Sequence, residues 1–155
     1  MPWPLAANLS LLFKEVPLLD RVSLAAQAGF DGVEVQFPYD VPAESLKRAL
    51  QQARLPLALI NIPAGDLMTG GPGLAGVPAQ RGEFARALEQ AIAYARITQP
   101  LRMNLLPGRL APDIDREEAL DTLVANAPGS QPSAWGRRAL LSPVKRSTAT
   151  TCPAF

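Results

Sequence analysis

From Leu5 to about Asn126, short apolar runs alternate with longer stretches in which apolar residues recur every three or four positions. Leu5 to Leu9 is the first run, and after a connector Leu18, Val22, Ala25, Ala26 and Gly29 fall at helical spacing. Val33, Val35 and Phe37 then alternate with Glu34 and Gln36, the period of a strand with two unlike faces, and Pro38-Tyr39-Asp40 closes it. Pro42 to Ala53 predicts a second helix, with Leu46, Ala49, Leu50 and Ala53 on one stripe and Glu44 placed to support Arg48 one turn on. Leu57 to Ile60 predicts a third strand, Phe84, Leu88, Ile92 and Ala95 a third helix, and Met103 to Leu106 a fourth strand. Asp115-Arg116-Glu117-Glu118 has the form of a capped helix start leading into Leu120, Leu123 and Val124, and Ala127-Pro128-Gly129 ends that helix.

Strand and helix thus alternate about every 30 residues, the rhythm of right-handed crossovers on a parallel sheet. The predicted class is α/β. A complete eight-unit barrel takes roughly 250 residues, so the expectation is about four (β/α) units of eight, an incomplete TIM barrel spanning residues 1–126. The connector from Asn61 to Ala79 holds five glycines and three prolines and predicts no regular element. Loops of that length usually serve a site. Within it, Gly71-Pro72-Gly73-Leu74-Ala75-Gly76 has the spacing of a dinucleotide fingerprint but the wrong setting, since the third strand ends well before it and Val77-Pro78 follows. A complete doubly wound domain would need a ligand site at a switch point, and none is visible.

Several stretches carry a family resemblance: Ala7-Asn8-Leu9-Ser10-Leu11-Leu12-Phe13, Gly29-Phe30-Asp31-Gly32-Val33-Glu34 with Phe37-Pro38-Tyr39-Asp40, Asn61-Ile62-Pro63-Ala64-Gly65-Asp66, and Tyr94-Ala95-Arg96. In order and spacing they resemble the hydroxypyruvate isomerase family, sugar isomerases with the xylose-isomerase-like barrel. The resemblance covers Leu5 to about Asn126, roughly half of a full-length member. It implies interconversion of hydroxypyruvate and tartronate semialdehyde, or of a similar short keto acid or sugar acid, often with a divalent cation in the intact family. It also implies that both catalytic glutamates and most metal ligands lie beyond the fourth helix, so this chain is expected to offer no catalytic and no metal-binding residue of its own and no cofactor. Around Val77-Pro78-Ala79-Gln80-Arg81 the family usually has a Pro-Gly-Arg turn; here the arginine is displaced, which weakens an anion-contacting role for Arg81.

Composition refines this. The chain is 155 residues long, 48% apolar and 19% charged, within the range of one soluble domain. The formal charge of +1 hides an asymmetry, because Asp121 is the last acidic residue and Arg137, Arg138, Lys145 and Arg146 follow unopposed. Residues 127–155 are therefore expected to form a disordered basic tail, and their low-complexity, acid-free character resembles translation in a shifted frame. Four dispersed cations without interleaved aromatics do not make a nucleic-acid or membrane surface, so neither partner is expected. Cys152 is the single cysteine, Met1-Pro2-Trp3-Pro4 lacks the basic start of a signal peptide, and no apolar run approaches the roughly 18 residues of a spanning helix, which makes the cytoplasm the expected location. With no histidine in the sequence, Ser-His-Asp triads and the usual zinc sites are excluded, and the related histidine-rich barrel nucleases are disfavoured.

Aldose–ketose isomerisation moves a proton between adjacent carbons and needs a base near the α-carbon with electrophiles on the oxygens. Glu34, opposite in face to Val33 and Val35, is the carboxylate expected at the functional end of the sheet. Asn8, Asn61 and Asn104 each fall near the end of a predicted strand, where an amide can bond a sugar hydroxyl or a carboxylate, and Asp66 lies in the long loop. These five are the candidate substrate-binding residues. Asparagine also favours strand ends for purely local backbone reasons, and an inward acid often serves only to pair with a polar neighbour. A half-barrel further leaves its first and fourth strands as open edges, so self-association through them is expected, with a non-catalytic binding or assembly module as the alternative function.

Overall fold

Each helix starts where the sequence supplies a break and a favourable charge. Pro17 and Pro42 precede α1 (Leu18–Gln27) and α2 (Ala43–Ala53), with Asp20 and Glu44 in the respective first turns, where a carboxylate meets the positive end of the helix dipole. In α4 (Arg116–Asn126) the expected cap is real: one Asp115 carboxylate oxygen accepts from the backbone N–H of Glu117 at 2.7 Å and of Glu118 at 3.0 Å. At their C-terminal ends, α2 and α3 (Arg81–Thr98) pass through left-handed residues, Arg54 at φ 57° and Gln99 at φ 53°, and each leads within two or three residues into the next strand.

A computed structural model describes residues 3–127. Of the tail expected over residues 127–155, all but Ala127 lies outside the described residues. Four short strands, β1 (Ala6–Asn8), β2 (Gly32–Val35), β3 (Leu57–Asn61) and β4 (Arg102–Asn104), form one sheet in the order β1-β2-β3-β4, with every pairing parallel. Sequential neighbours without a reversal are the winding of a barrel; a doubly wound sheet would reverse its order at a switch point. The four expected units are all present, with shifted bounds: β2 stops at Val35, before Phe37, and β4 starts one residue earlier and ends two residues earlier than the apolar pattern suggested.

The core lies on one face of the sheet. Ala7, Leu9, Val33, Val35, Leu57 and Ile60 pack against Val22 and Ala25 of α1, Leu46 and Leu50 of α2, and Tyr94 of α3. A second cluster, Ile62, Ala75, Phe84, Ala87 and Ala91, seals the long loop against α3. The buried stripe of α3 is Phe84, Ala87, Ala91, Tyr94 and Thr98, so Leu88, Ile92 and Ala95 sit at its margin rather than its centre. In α4 the difference is larger. Thr122 is buried, and the Asn126 side chain donates to the Ala75 carbonyl at 2.9 Å, while Leu120 and Val124 are exposed. Rotation of α4 onto the loop and α3 turns those two residues toward the side on which no further helix is described.

Candidate functional site

The face of the sheet opposite the core is polar at its carboxyl end. Asn8, Asn61 and Asn104 are the last residues of β1, β3 and β4, and Glu34 is the penultimate residue of β2. Register aligns Asn8 with Glu34, and Asn61 with Asn104. Their core-facing neighbours Ala7, Val33 and Ile60 fix the alternation, so these four side chains share the inner face. A one-residue slip between Val33 and Glu34 in the β2–β3 pairing brings Glu34 level with Leu59, two positions before Asn61 on the same face.

Two bonded pairs result. The Asn8 amide nitrogen donates to Glu34 Oε1 at 2.5 Å while its oxygen accepts from the Ser10 backbone N–H at 3.0 Å, which fixes the orientation of the amide. Ser10 Oγ in turn accepts from the Gln36 N–H at 2.9 Å, tying the loop after β1 to the end of β2. In the second pair, Asn104 Nδ2 donates to Asn61 Oδ1 at 3.1 Å. Asn61 is only 6% exposed, yet its own Nδ2 has no hydrogen-bond partner among the described residues. A buried amide donor left open in this way calls for a ligand or an ordered water. The second Glu34 oxygen is similarly without a protein donor among the described residues, and Glu34 itself is partly exposed.

Behind the row stands a support that the hydrophobic pattern did not announce. Tyr39 donates its hydroxyl to the Asn61 carbonyl oxygen at 2.6 Å, and the Tyr94 hydroxyl lies 3.0 Å from the Pro38 carbonyl oxygen and 3.1 Å from that of Val41. The two rings meet edge to face, with centroids 5.2 Å apart and planes at 70°. Burial pushes the Tyr94 phenol up to about 12; burial, and then the neighbouring Tyr94 charge, raise that of Tyr39 further. The available signal was a tyrosine within an apolar helical stripe, whose hydroxyl must find an acceptor once buried.

Asp66 does not join the row. It lies in a short 3-10 turn, Gly65–Thr69, and its exposed carboxylate folds back onto the Gly73 N–H at 2.9 Å. A Cβ on Gly71 would overlap that carboxylate, so a larger residue there would displace the Asp66 side chain from this position. The loop is also clasped from outside: Arg109 in the β4–α4 connection donates to the carbonyls of Leu67 at 2.7 Å and Gly71 at 3.1 Å, and its own N–H bonds Pro72 O at 2.9 Å. A second 3-10 turn, Pro78–Gln80, leads into α3, and no helix opens inside the glycine run, consistent with its rejection as a dinucleotide motif. Arg81 starts α3 in solvent. Among the described residues, no group of three His, Cys, Asp or Glu side chains is placed to hold a metal ion.

A one-directional parallel sheet, with its core on one face and a polar row at the carboxyl rim of the other, is half of a barrel's inner wall. Residues 22–127 match the family described as xylose isomerase-like TIM barrel. The chain belongs to that family. It is 42% identical over 121 residues to hydroxypyruvate isomerase from Escherichia coli K12, covering 78% of this chain and 47% of that protein. It is 37% identical over 121 residues to 2-oxo-tetronate isomerase from Haemophilus influenzae, with the same 78% and 47% coverage. A crystal structure of AP endonuclease, family 2, from Brucella melitensis superposes with a TM-score of 0.73 at 38% identity, covering 80% of this chain and 48% of that one. The chain spans about half the length of the relatives it matches. No helix among the described residues is long and apolar enough to cross a membrane.

Proposed function

We propose that this chain forms one wall of a cytoplasmic isomerase site for a short hydroxy keto acid such as hydroxypyruvate. The observation that carries the reading is the open, buried Asn61 amide beside Glu34, at the rim where barrel enzymes bind substrate. Isomerase names among relatives near 40% identity support the reaction class. In hydroxypyruvate isomerisation a proton leaves the hydroxymethyl carbon and returns to the former carbonyl carbon through an enediolate. The Asn61 and Asn104 amides supply donors for the oxygens of that enediolate, and Glu34, steadied by Asn8, is an acceptor for a hydroxyl proton. Glu34 is the sole carboxylate among the inner-face residues of the four strands, so one described wall grips the substrate and leaves the carbon-to-carbon proton transfer without a second carboxylate. Neither nucleic acid nor membrane has a part in this reading.

The expected behaviour is binding without turnover. Titration of the labelled chain with hydroxypyruvate, followed by amide shifts at the strand ends, should show saturable binding that Asn61→Ala weakens about tenfold, the loss of one good hydrogen bond. Absence of binding, or an unchanged affinity in the variant, refutes the site; formation of tartronate semialdehyde refutes the missing carboxylate. A second reading, a non-catalytic half-barrel module that assembles through its edges, is favoured by the strand edges that β1 and β4 leave open among the described residues.

A further inference from the structure

One charged side chain on the inner face has no part in the site so far. Arg102 opens β4, one residue before the apolar run by which that strand is legible in the sequence. Its neighbour Met103 packs against both core clusters, so Arg102 shares the opposite face with Asn104. Register then completes a row across the sheet: Asn8 is aligned with Glu34, Glu34 with Leu59, and Leu59 with Arg102. Asn61 stands one step nearer the rim on the same face, beyond Leu59 and beside Asn104.

Among the described residues of the four strands, Glu34 and Arg102 alone are charged. They flank β3 from either side, about 10 Å apart at two strand spacings. Arg102 is exposed, and its guanidinium has no carboxylate and no hydrogen-bond acceptor among the described residues. The inner face therefore carries one cation in register with the polar row and free to take an anion.

We propose that Arg102 binds the carboxylate of the substrate and so selects a keto acid over a neutral keto sugar. The assignment rests on the keto-acid reading and supplies a partner for the one group that reading leaves without one. A short hydroxy keto acid is an anion at neutral pH, and the rim otherwise offers it neutral amides beside the Glu34 carboxylate, which repels it. A planar guanidinium takes a carboxylate through two parallel N–H···O bonds, which fix its orientation as well as hold it. With the carboxylate drawn to the β4 side, the keto and hydroxyl oxygens fall toward the open Asn61 amide and Glu34. The same contact thus sets which end of the molecule faces Glu34.

Hydroxypyruvate and dihydroxyacetone are matched probes, since the second carries a hydroxymethyl group in place of the carboxylate. In amide-shift titrations of the 155-residue chain, the parent should prefer hydroxypyruvate. R102M and R102Q should each bind it about tenfold more weakly, the loss of a charge-assisted pair, and R102K should recover part of that loss. Dihydroxyacetone affinity should be the same in parent and Arg102 variants, whereas Asn61→Ala should weaken both ligands. Because Arg102 is exposed, its variants should keep the far-ultraviolet circular dichroism of the parent. Unchanged hydroxypyruvate affinity in R102M and R102Q overturns the assignment and leaves the keto-acid reading standing. An equal loss for both ligands also overturns it, because Arg102 would then only shape the wall. Failure of the parent to bind either probe sinks the keto-acid reading itself, and the role of Arg102 with it.

Discussion

Replacing Tyr94 with phenylalanine removes one oxygen from the support behind the polar row and leaves the ring. The edge-to-face contact with Tyr39, at 5.2 Å between centroids, is retained. What is lost is the hydroxyl that reaches two carbonyls. Pro38 O keeps a second donor, the Val41 N–H at 3.1 Å, whereas Val41 O has no other donor among the described residues. One hydrogen bond and one partly buried acceptor are at stake, about 1 to 2 kcal/mol at neutral pH. Alkaline pH gives an independent readout. The folded-state value of Tyr94 is raised to about 12 from the ordinary phenol value of 10.0, so its contribution is fully present below pH 10. As the pH climbs from there to about 12, the unfolded chain has released a proton that the folded chain keeps, and stability falls. For Tyr94 this amounts to on the order of 2 kcal/mol across that window. Urea melts at neutral and alkaline pH, with phenolate absorbance followed in parallel, should therefore show Tyr94→Phe less stable at neutrality and with a shallower alkaline decline than the parent. Equal stability at neutral pH together with an unchanged alkaline slope would refute the reasoning, because the hydroxyl would then be neither bonded nor desolvated as described.

Two further substitutions probe other parts of the chain. Asp115→Ala removes the acceptor shared by the Glu117 and Glu118 N–H groups and should cost about 1 kcal/mol in a urea melt, with Asp115→Asn recovering most of it. Gly71→Ala forces the Asp66 carboxylate off the Gly73 N–H; limited proteolysis should then cut faster between residues 65 and 76, with the urea midpoint nearly unchanged because Asp66 and Gly70 are exposed.

The sequence pattern located the sheet and helices because Val33/Val35 against Glu34, and Leu46/Leu50 along α2, obey the two periods that a one-sided core imposes. The same period set Glu34 on the face opposite Val33 and Val35, and Asn8, Asn61 and Asn104 were legible only as residues near strand ends, because parity and strand ends are local properties. Which of them bond one another is not local: Asn8–Glu34 spans 26 positions and Asn61–Asn104 spans 43, and these depend on register between strands. Asp66 was indistinguishable from the others by residue type, and only the fold of its own loop turns it away. The apolar positions Leu120 and Val124 looked like a buried stripe because periodicity reports an apolar face without reporting what covers it.

Arg109 grips the long loop entirely through main-chain oxygens, those of Leu67 and Gly71 from its guanidinium and that of Pro72 from its amide. A clasp of that kind cannot tell which side chains it is holding. Leu67 and Met68 can therefore vary while the backbone course of the loop stays the same, which lets a lineage change the loop's surface without rebuilding its path.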